Sequence, residues 1–159
     1  MINKAVDPGL LTVLKQEIIP RLERDVPSQP SLFEQENNAL VPRFRLIFDR
    51  EGYSPDVFTR MWKKRIACLT YHKCPGEDWP ELEFCEYKVK LISGHEVTML
   101  LAERCIFLGG RLWVREIRKL TKTGHQTSII STDYLRDLTR TAATMFARWS
   151  QENFFKYMR

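Results

Sequence analysis

The hydrophobic pattern in the first 42 residues predicts one amphipathic helix followed by a loop. Apolar side chains recur at helical spacing over residues 9–24, and Pro20 is expected to end or kink this helix in its last turn. Residues 25–42 are rich in Pro, Ser, Gln and Asn, which predicts a connecting loop. The apolar positions of the helix are Leu10, Leu11, Leu14, Ile18, Ile19 and Leu22.

A strand, a helix and a second strand are predicted next. Residues 43–49 have an apolar core, Leu46-Ile47-Phe48, and end on Asp49, and residues 66–71 form a second apolar run, so both segments are expected to be buried strands. Between them, residues 54–64 have helical spacing, with Ser54 placed to cap the helix. Such a crossover unit implies parallel pairing inside an α/β sheet.

The apolar period changes after residue 83 and predicts an antiparallel meander. Its expected strands are 84–92, 96–101, 112–120 and 127–132, with turns at Ser93-Gly94, Gly109-Gly110 and Gly124. The last stretch, 133–159, is predicted to be helical, with Thr132 or Asp133 as its cap.

Length and composition are those of one globular domain. The chain has 159 residues, of which 43% are hydrophobic, and it has no apolar run long enough to span a membrane and no signal-peptide core. The four cysteines, at 68, 74, 85 and 105, include no CxxC pair. We therefore expect a protein of the reduced cytoplasm.

The positive charge is concentrated in the last third of the chain. Residues 1–42 have a net charge of −2, residues 43–103 a net charge of zero, and residues 104–159 a net charge of +7. This distribution is expected of a surface that meets a polyanion such as nucleic acid, and a solvated basic face without a partner fits the charge equally well.

Two carboxylates are candidates for chemistry. Asp49 ends a predicted strand, where α/β sheets bind ligands and metals, although a turn-forming or capping Asp is also common there. Glu152 lies in an aromatic-rich helical segment, four residues after Arg148. The two could form an ordinary helical ion pair, whereas a partly buried Glu152 would need a partner or a metal.

The segments DREGY (Asp49–Tyr53) and RWSQENFF (Arg148–Phe155) resemble two signature blocks of bacterial insertion-sequence transposases of the DDE class. In the subgroup that the chain resembles, an antiparallel β insertion precedes the last acid. The last block of that subgroup, Tyr-x2-Arg-x3-Glu-x6-Lys, aligns with Met145, Arg148, Glu152 and Arg159. Met145 departs from the last block, which has Tyr at this position. Gly52 departs from the middle block of the subgroup, Asp-x-Gly/Ala-x2-Tyr/Phe, because it lies one place later. The resemblance covers roughly residues 43–159.

The resemblance implies an RNase H-like α/β fold and phosphoryl transfer with two divalent cations, Mg²⁺ or Mn²⁺. Asp49 would be the second catalytic acid and Glu152 the third, and both would bind the metals. Arg148, Lys156 and Arg159 would lie near DNA phosphates. DNA at the element ends and at the target is the implied partner, in the bacterial cytoplasm at the nucleoid.

The same resemblance divides the chain into three parts. Residues 1–79 would be a partial RNase H-like core, residues 80–132 the β insertion, and residues 133–159 the helix that carries Glu152. In this fold, three strands and a helix precede the strand with the second acid, and residues 1–8 cannot hold three strands.

Neither Asp7 nor Asp25 ends a strand, so the first catalytic Asp is expected to be absent. We therefore expect a transposase fragment cut at both ends, with little or no activity alone. A homodimer, or an N-terminal fragment that supplies the missing strands, would be its protein partner. The alternatives are a DNA-binding remnant that does not cut DNA and a product without a stable fold.

Basic residues around the predicted strand 112–120 form a further candidate site. They could line a DNA-tracking groove, for which Arg115, Arg118 and Lys119 are the assigned contacts, or they could keep a sheet edge from aggregating. The full set is Arg111, Arg115, Arg118, Lys119 and Lys122, followed by His125.

Three other sets of residues are assigned structural roles. Asp133 is expected to cap a helix rather than to bind a metal. His72 with Cys68, Cys74 and Cys85 matches no regular zinc spacing, so zinc is not expected. Trp62, Trp79 and Trp113 are assigned to core or sheet packing.

Overall fold

The computed structural model describes residues 10–146, which form a mixed α/β fold around one six-stranded sheet. The strand order across the sheet is β1-β2-β6-β5-β4-β3. The strands are β1 (Phe44–Ile47), β2 (Ile66–Tyr71), β3 (Cys85–Lys90), β4 (Glu96–Leu108), β5 (Leu112–Leu120) and β6 (Gln126–Ser131).

The pairing confirms the predicted crossover unit and the predicted meander. β1 and β2 are parallel, and helix α4 (Pro55–Lys63) connects them. Strands β3 to β6 pair antiparallel with their neighbours, and Gly94 and Gly124 have the positive φ that their turns require. Because β6 also pairs antiparallel with β2, the strands expected to form an insertion continue the sheet of β1 and β2.

Helices cover both faces of the sheet, because neighbouring strand residues point to opposite faces. Ile129 packs in the core under helix α5, whose described part is Leu138–Phe146. Ile130, the next residue, packs in the core under α4 together with Phe58 and Val114. All six residues of β2 are buried, as expected of a strand covered on both faces.

The N-terminal helix continues past Pro20 to Asp25, so Pro20 does not end it, which was one of the two expected outcomes. It comprises α1 (Leu10–Val13), a π-helical segment (Leu14–Ile18) and α2 (Ile19–Asp25). The wider π-helical turn ends at Ile18, two residues before Pro20, which has no backbone N–H to donate. The irregularity therefore falls in the middle of the helix, and α2 continues for another turn and a half.

The predicted loop 25–42 contains a short helix, α3 (Leu32–Asn37). Ser31 and Glu34 form a reciprocal capping box, in which the Ser31 Oγ accepts the Glu34 N–H and the Glu34 carboxylate accepts the Ser31 N–H. This local pairing is sufficient to start a helix in a segment whose composition favours a loop.

Two other predictions differ from the structure. β1 ends at Ile47 and is partly exposed, because the described residues pair with it on one side only. α5 begins at Leu138, and its first turn is capped by Asp137, whose Oδ1 accepts the Arg140 N–H, instead of by Thr132 or Asp133. Trp113, assigned to core or sheet packing, is 59% exposed and packs on the sheet against Phe107 of β4, with 5.1 Å between the ring centroids.

Candidate functional site

An open cleft of about 770 Å³ lies at the carboxyl ends of β1 and β2. Asp49 and Arg50 line it from the segment after β1, and His72 and Lys73 from the segment after β2. Lys119 of β5 closes another side. The carboxyl ends of parallel strands in an α/β sheet are the usual place for a ligand.

Asp49 follows β1 and is exposed at the cleft. Its Oδ1 accepts the Arg50 N–H at 2.6 Å and caps a 3-10 turn, Arg50–Gly52, while its carbonyl accepts the Thr70 hydroxyl at 3.1 Å. Asp49 therefore has the capping role that the sequence left open, and its carboxylate also lines the cleft.

The charged side chains that line the cleft are mostly cationic. Arg50, Lys73 and Lys119 carry positive charge, and Asp49 carries the negative charge among the lining residues. The hydroxyls of Thr121, Thr127 and Ser128 and the imidazole of His125 add polar groups. A cleft with this balance attracts a polyanion.

A buried polar cluster forms the wall of the cleft behind His72. Glu116, which is 2% exposed, accepts hydrogen bonds on Oε1 from Ser128 Oγ at 2.7 Å and from Arg118 Nε at 2.8 Å. His72 Nδ1 faces the same oxygen at 3.3 Å without completing a hydrogen bond. Burial works to raise the pKa of the Glu116 carboxyl, but His72, Ser128 and Arg118 together hold it below its ordinary value.

Arg118, predicted to bind DNA, is 1% exposed and is held by protein acceptors. Besides Glu116, its guanidinium donates to the carbonyl oxygens of Pro75 and Glu77, and it stacks on the Trp79 ring at 4.3 Å. Arg118 thus ties the segment after β2 to the sheet and positions the wall that carries Lys73.

Arg115, also predicted to bind DNA, is buried on the opposite face of β5. Its Nη1 donates to the Asp133 carbonyl at 2.8 Å and to the Arg136 carbonyl, and its Nε pairs with Glu103. Of the three residues of β5 assigned to DNA, Lys119 is the one that lines the cleft, where its Nζ also lies 5.8 Å from the Phe146 ring centroid.

Asp133 and Cys68 are the next residues considered as possible metal ligands from the sequence. Asp133 accepts the backbone N–H groups of Leu135 and Arg136 and pairs with Arg45, so its carboxylate organises the turn before α5. Cys68 is buried, which raises the pKa of its thiol to about 12. Residues 10–146 contain no group of three or more His, Cys, Asp or Glu side chains that could hold a metal ion.

The residues of the last signature block lie mostly beyond the described chain. Arg148, Glu152, Lys156 and Arg159 fall outside residues 10–146. Met145 is described, and it is buried with its carbonyl accepting the Tyr71 hydroxyl at 3.3 Å. Phe146 lines the cleft, and Glu152 follows it by six positions in the sequence.

Two residues of this site were not assigned a role there from the sequence. His72 was considered only as a zinc ligand, although its place directly after a buried strand is the same signal that selected Asp49. Glu116 has no sequence signal, because a lone acid between basic residues is also typical of a solvated strand.

None of the described helices is long and apolar enough to cross a membrane. A family model described as "Transposase protein" matches residues 1–159. No curated protein matches the chain.

Proposed function

The chain belongs to the transposase family whose model matches residues 1–159, and on this premise we propose that its cleft binds the phosphodiester backbone of DNA. The observation that carries the proposal is the convergence of Arg50, Lys73 and Lys119 on one cleft at the carboxyl ends of β1 and β2. Cationic side chains around such a cleft pair with phosphates and release counterions, which provides most of the affinity of many DNA-binding proteins.

The proposal extends to the chemistry of the DDE class. Asp49 and Glu152 would be the second and third carboxylates of an RNase H-like core, and Asp49 has an exposed carboxylate at the cleft. Residues 10–146 contain no group of three or more His, Cys, Asp or Glu side chains that could hold a metal ion with Asp49. A complete site therefore needs Glu152 and a further acid. Bound Mg²⁺ or Mn²⁺ would activate water or a 3′-hydroxyl for attack on a phosphate.

The residues of the chain itself would bind and orient DNA. Lys73 and Lys119 would hold phosphates on two sides of the cleft, and Arg148, Lys156 and Arg159 would extend the contact. Cleavage by the chain alone is expected to be weak or absent, and a second copy or a complementing N-terminal fragment would be needed for strand transfer. DNA binding without cleavage is the second candidate, because the three cations of the cleft do not depend on the carboxylates.

Salt-dependent binding of the full chain to duplex DNA tests the proposal. We expect log Kobs to fall linearly with log salt, and we expect the Lys73→Ala/Lys119→Ala variant to bind more weakly, with a slope shallower by roughly 1.8. Fluorescence anisotropy of a labelled duplex at several salt concentrations measures both quantities.

The matched control removes two lysines that are exposed on β3 and do not line the cleft, Lys88→Ala/Lys90→Ala. An equal loss in this control would refute the cleft as the binding site, and an absence of binding at about 50 mM salt would refute DNA binding altogether. A nick that requires Mg²⁺ or Mn²⁺ and disappears in both Asp49→Ala and Glu152→Ala would establish catalysis by this chain.

A further inference from the structure

The pairing of β1 and β2 brings His72 to the same edge of the sheet as Asp49. Ile47 pairs with Leu69 at the end of this parallel ladder, so Asp49 and His72 both follow the carboxyl ends of their strands. Thr70, whose hydroxyl donates to the Asp49 carbonyl, points to the same face of β2 as His72. His72 and Asp49 therefore both line one cleft.

His72 is 7% exposed. Nδ1 is buried and faces Glu116 Oε1 at 3.3 Å. A buried nitrogen without a completed hydrogen bond is costly, and a proton on Nδ1 would complete a bond to the carboxylate. With Nδ1 committed to Glu116, Nε2 is the nitrogen left for a ligand in the cleft.

The surroundings fix the orientation of the ring and its charge environment. The Tyr53 ring stacks on His72 at 5.6 Å between centroids, and the His72 backbone N–H donates to the Ser128 carbonyl at 3.0 Å. Glu116 is the negative group on the buried side and Asp49 the negative group at the cleft. The positive or titratable groups around the site are Arg118 behind Glu116, Lys119 on β5, Lys73 and Cys74 after β2, Arg50 after β1, and His125 in the β5–β6 turn.

We propose that His72 binds a DNA phosphate through Nε2 and that Glu116 is its positioning residue. The proposal rests on the proposed function of the cleft. In the complex, His72 would be an imidazolium, with Nδ1–H donating to Glu116 and Nε2–H donating to a phosphate oxygen. His72 thereby adds a positive charge that is present in the complex.

The affinity of the His72→Gln variant for duplex DNA tests the phosphate contact. Gln keeps hydrogen-bonding ability but cannot carry charge, so we expect roughly tenfold weaker binding and a salt slope shallower by roughly 0.9. The matched control is His95→Gln, which changes an exposed histidine in the β3–β4 turn outside the cleft and should bind as the wild type does.

The nitrogen-15 resonances of the His72 ring provide a readout that a purely structural role would not move. We expect the Nε2 resonance to shift when the duplex is added at constant pH, because this nitrogen would gain the phosphate contact. Unchanged resonances, or a His72→Gln variant with wild-type affinity and slope, would overturn this inference while leaving DNA binding intact. If the wild type shows no salt-sensitive binding, the proposed function itself fails.

A double-mutant cycle tests the positioning role of Glu116. Glu116→Gln should weaken DNA binding as much as His72→Gln does, and the double variant should show no further loss, because both changes disrupt one contact. Additive losses would mean that Glu116 does not act through His72. If Glu116→Gln does not fold, as judged by circular dichroism, Ser128→Ala replaces it, since this change removes one hydrogen bond that holds the carboxylate.

Discussion

Strand β5 carries two buried arginines, one on each face of the sheet, and each pairs with a carboxylate. The two pairs differ in how exposed the carboxylate is to solvent. Arg118 pairs with Glu116, whose side chain is 3% exposed, and Arg115 pairs with Glu103, whose side chain is 29% exposed. Both arginines are themselves buried. If its arginine is removed, Glu103 can be solvated by water, whereas Glu116 would keep a charge inside the protein. The burial of the counter-ion therefore decides how much each arginine stabilises the fold.

Of the changes that test this difference, Arg118→Met is expected to have the largest effect on the free energy of unfolding. The change leaves Glu116 as a buried charge without its cation and frees the carbonyls of Pro75 and Glu77, so we expect the free energy of unfolding to fall by about 3–5 kcal/mol. Urea denaturation measures this loss. Arg118→Lys keeps the charge and should lose less, and a loss below about 1 kcal/mol in Arg118→Met would contradict the argument.

Arg115→Met should have a smaller effect. It removes the donor to the Asp133 and Arg136 carbonyls, while Glu103 gains access to water, so we expect a loss of about 1–3 kcal/mol in the free energy of unfolding. The same urea titration gives the value. A loss equal to that of Arg118→Met would show that counter-ion burial does not distinguish the two clusters.

The smallest effect is the pH dependence that Glu116 contributes. Its pKa is below the ordinary value of 4.5 in the folded protein, so its ionised form stabilises the fold at neutral pH. This contribution is fully present above pH 4.5 and is lost as the pH falls through the lowered folded pKa. The difference in unfolding free energy between the wild type and Glu116→Gln should therefore shrink between pH 5 and pH 3. A difference that stays constant over this range would show that Glu116 is not ionised in the folded protein.

Much of the fold could be predicted because the apolar period is strong. α4, β2 and the meander follow from local patterns that tertiary contacts reinforce. Helix α3 was missed because the composition of residues 25–42 outweighed the Ser31-x-x-Glu34 capping pattern, which was present in the sequence. The start of α5 was misplaced because Asp133 and Asp137 are both possible caps, and only the turn between them selects Asp137.

The candidate site could be predicted only in part. Asp49 was predicted to be a site residue from its position after a strand, and the structure places it in the lining of the cleft. His72, which follows β2, faces Glu116 of β5. These strands are far apart in the sequence, and no local pattern predicts which of their residues face each other. Arg118 has the sequence signal of an exposed cation, and its burial arises from the segment that folds back over it.

The position of β2 in the sheet has a consequence for folding during synthesis. On one side β2 pairs with β1, where Phe44 meets Ile66 after only 22 residues, and on the other side it pairs with β6, where Leu69 meets Ser131 after 62 residues. At roughly 5–20 residues per second, the ribosome needs about 3–12 s to make the missing partner. Throughout that interval an apolar strand has one unpaired edge, so we expect β2 to be the segment at which nascent chains associate or recruit a chaperone.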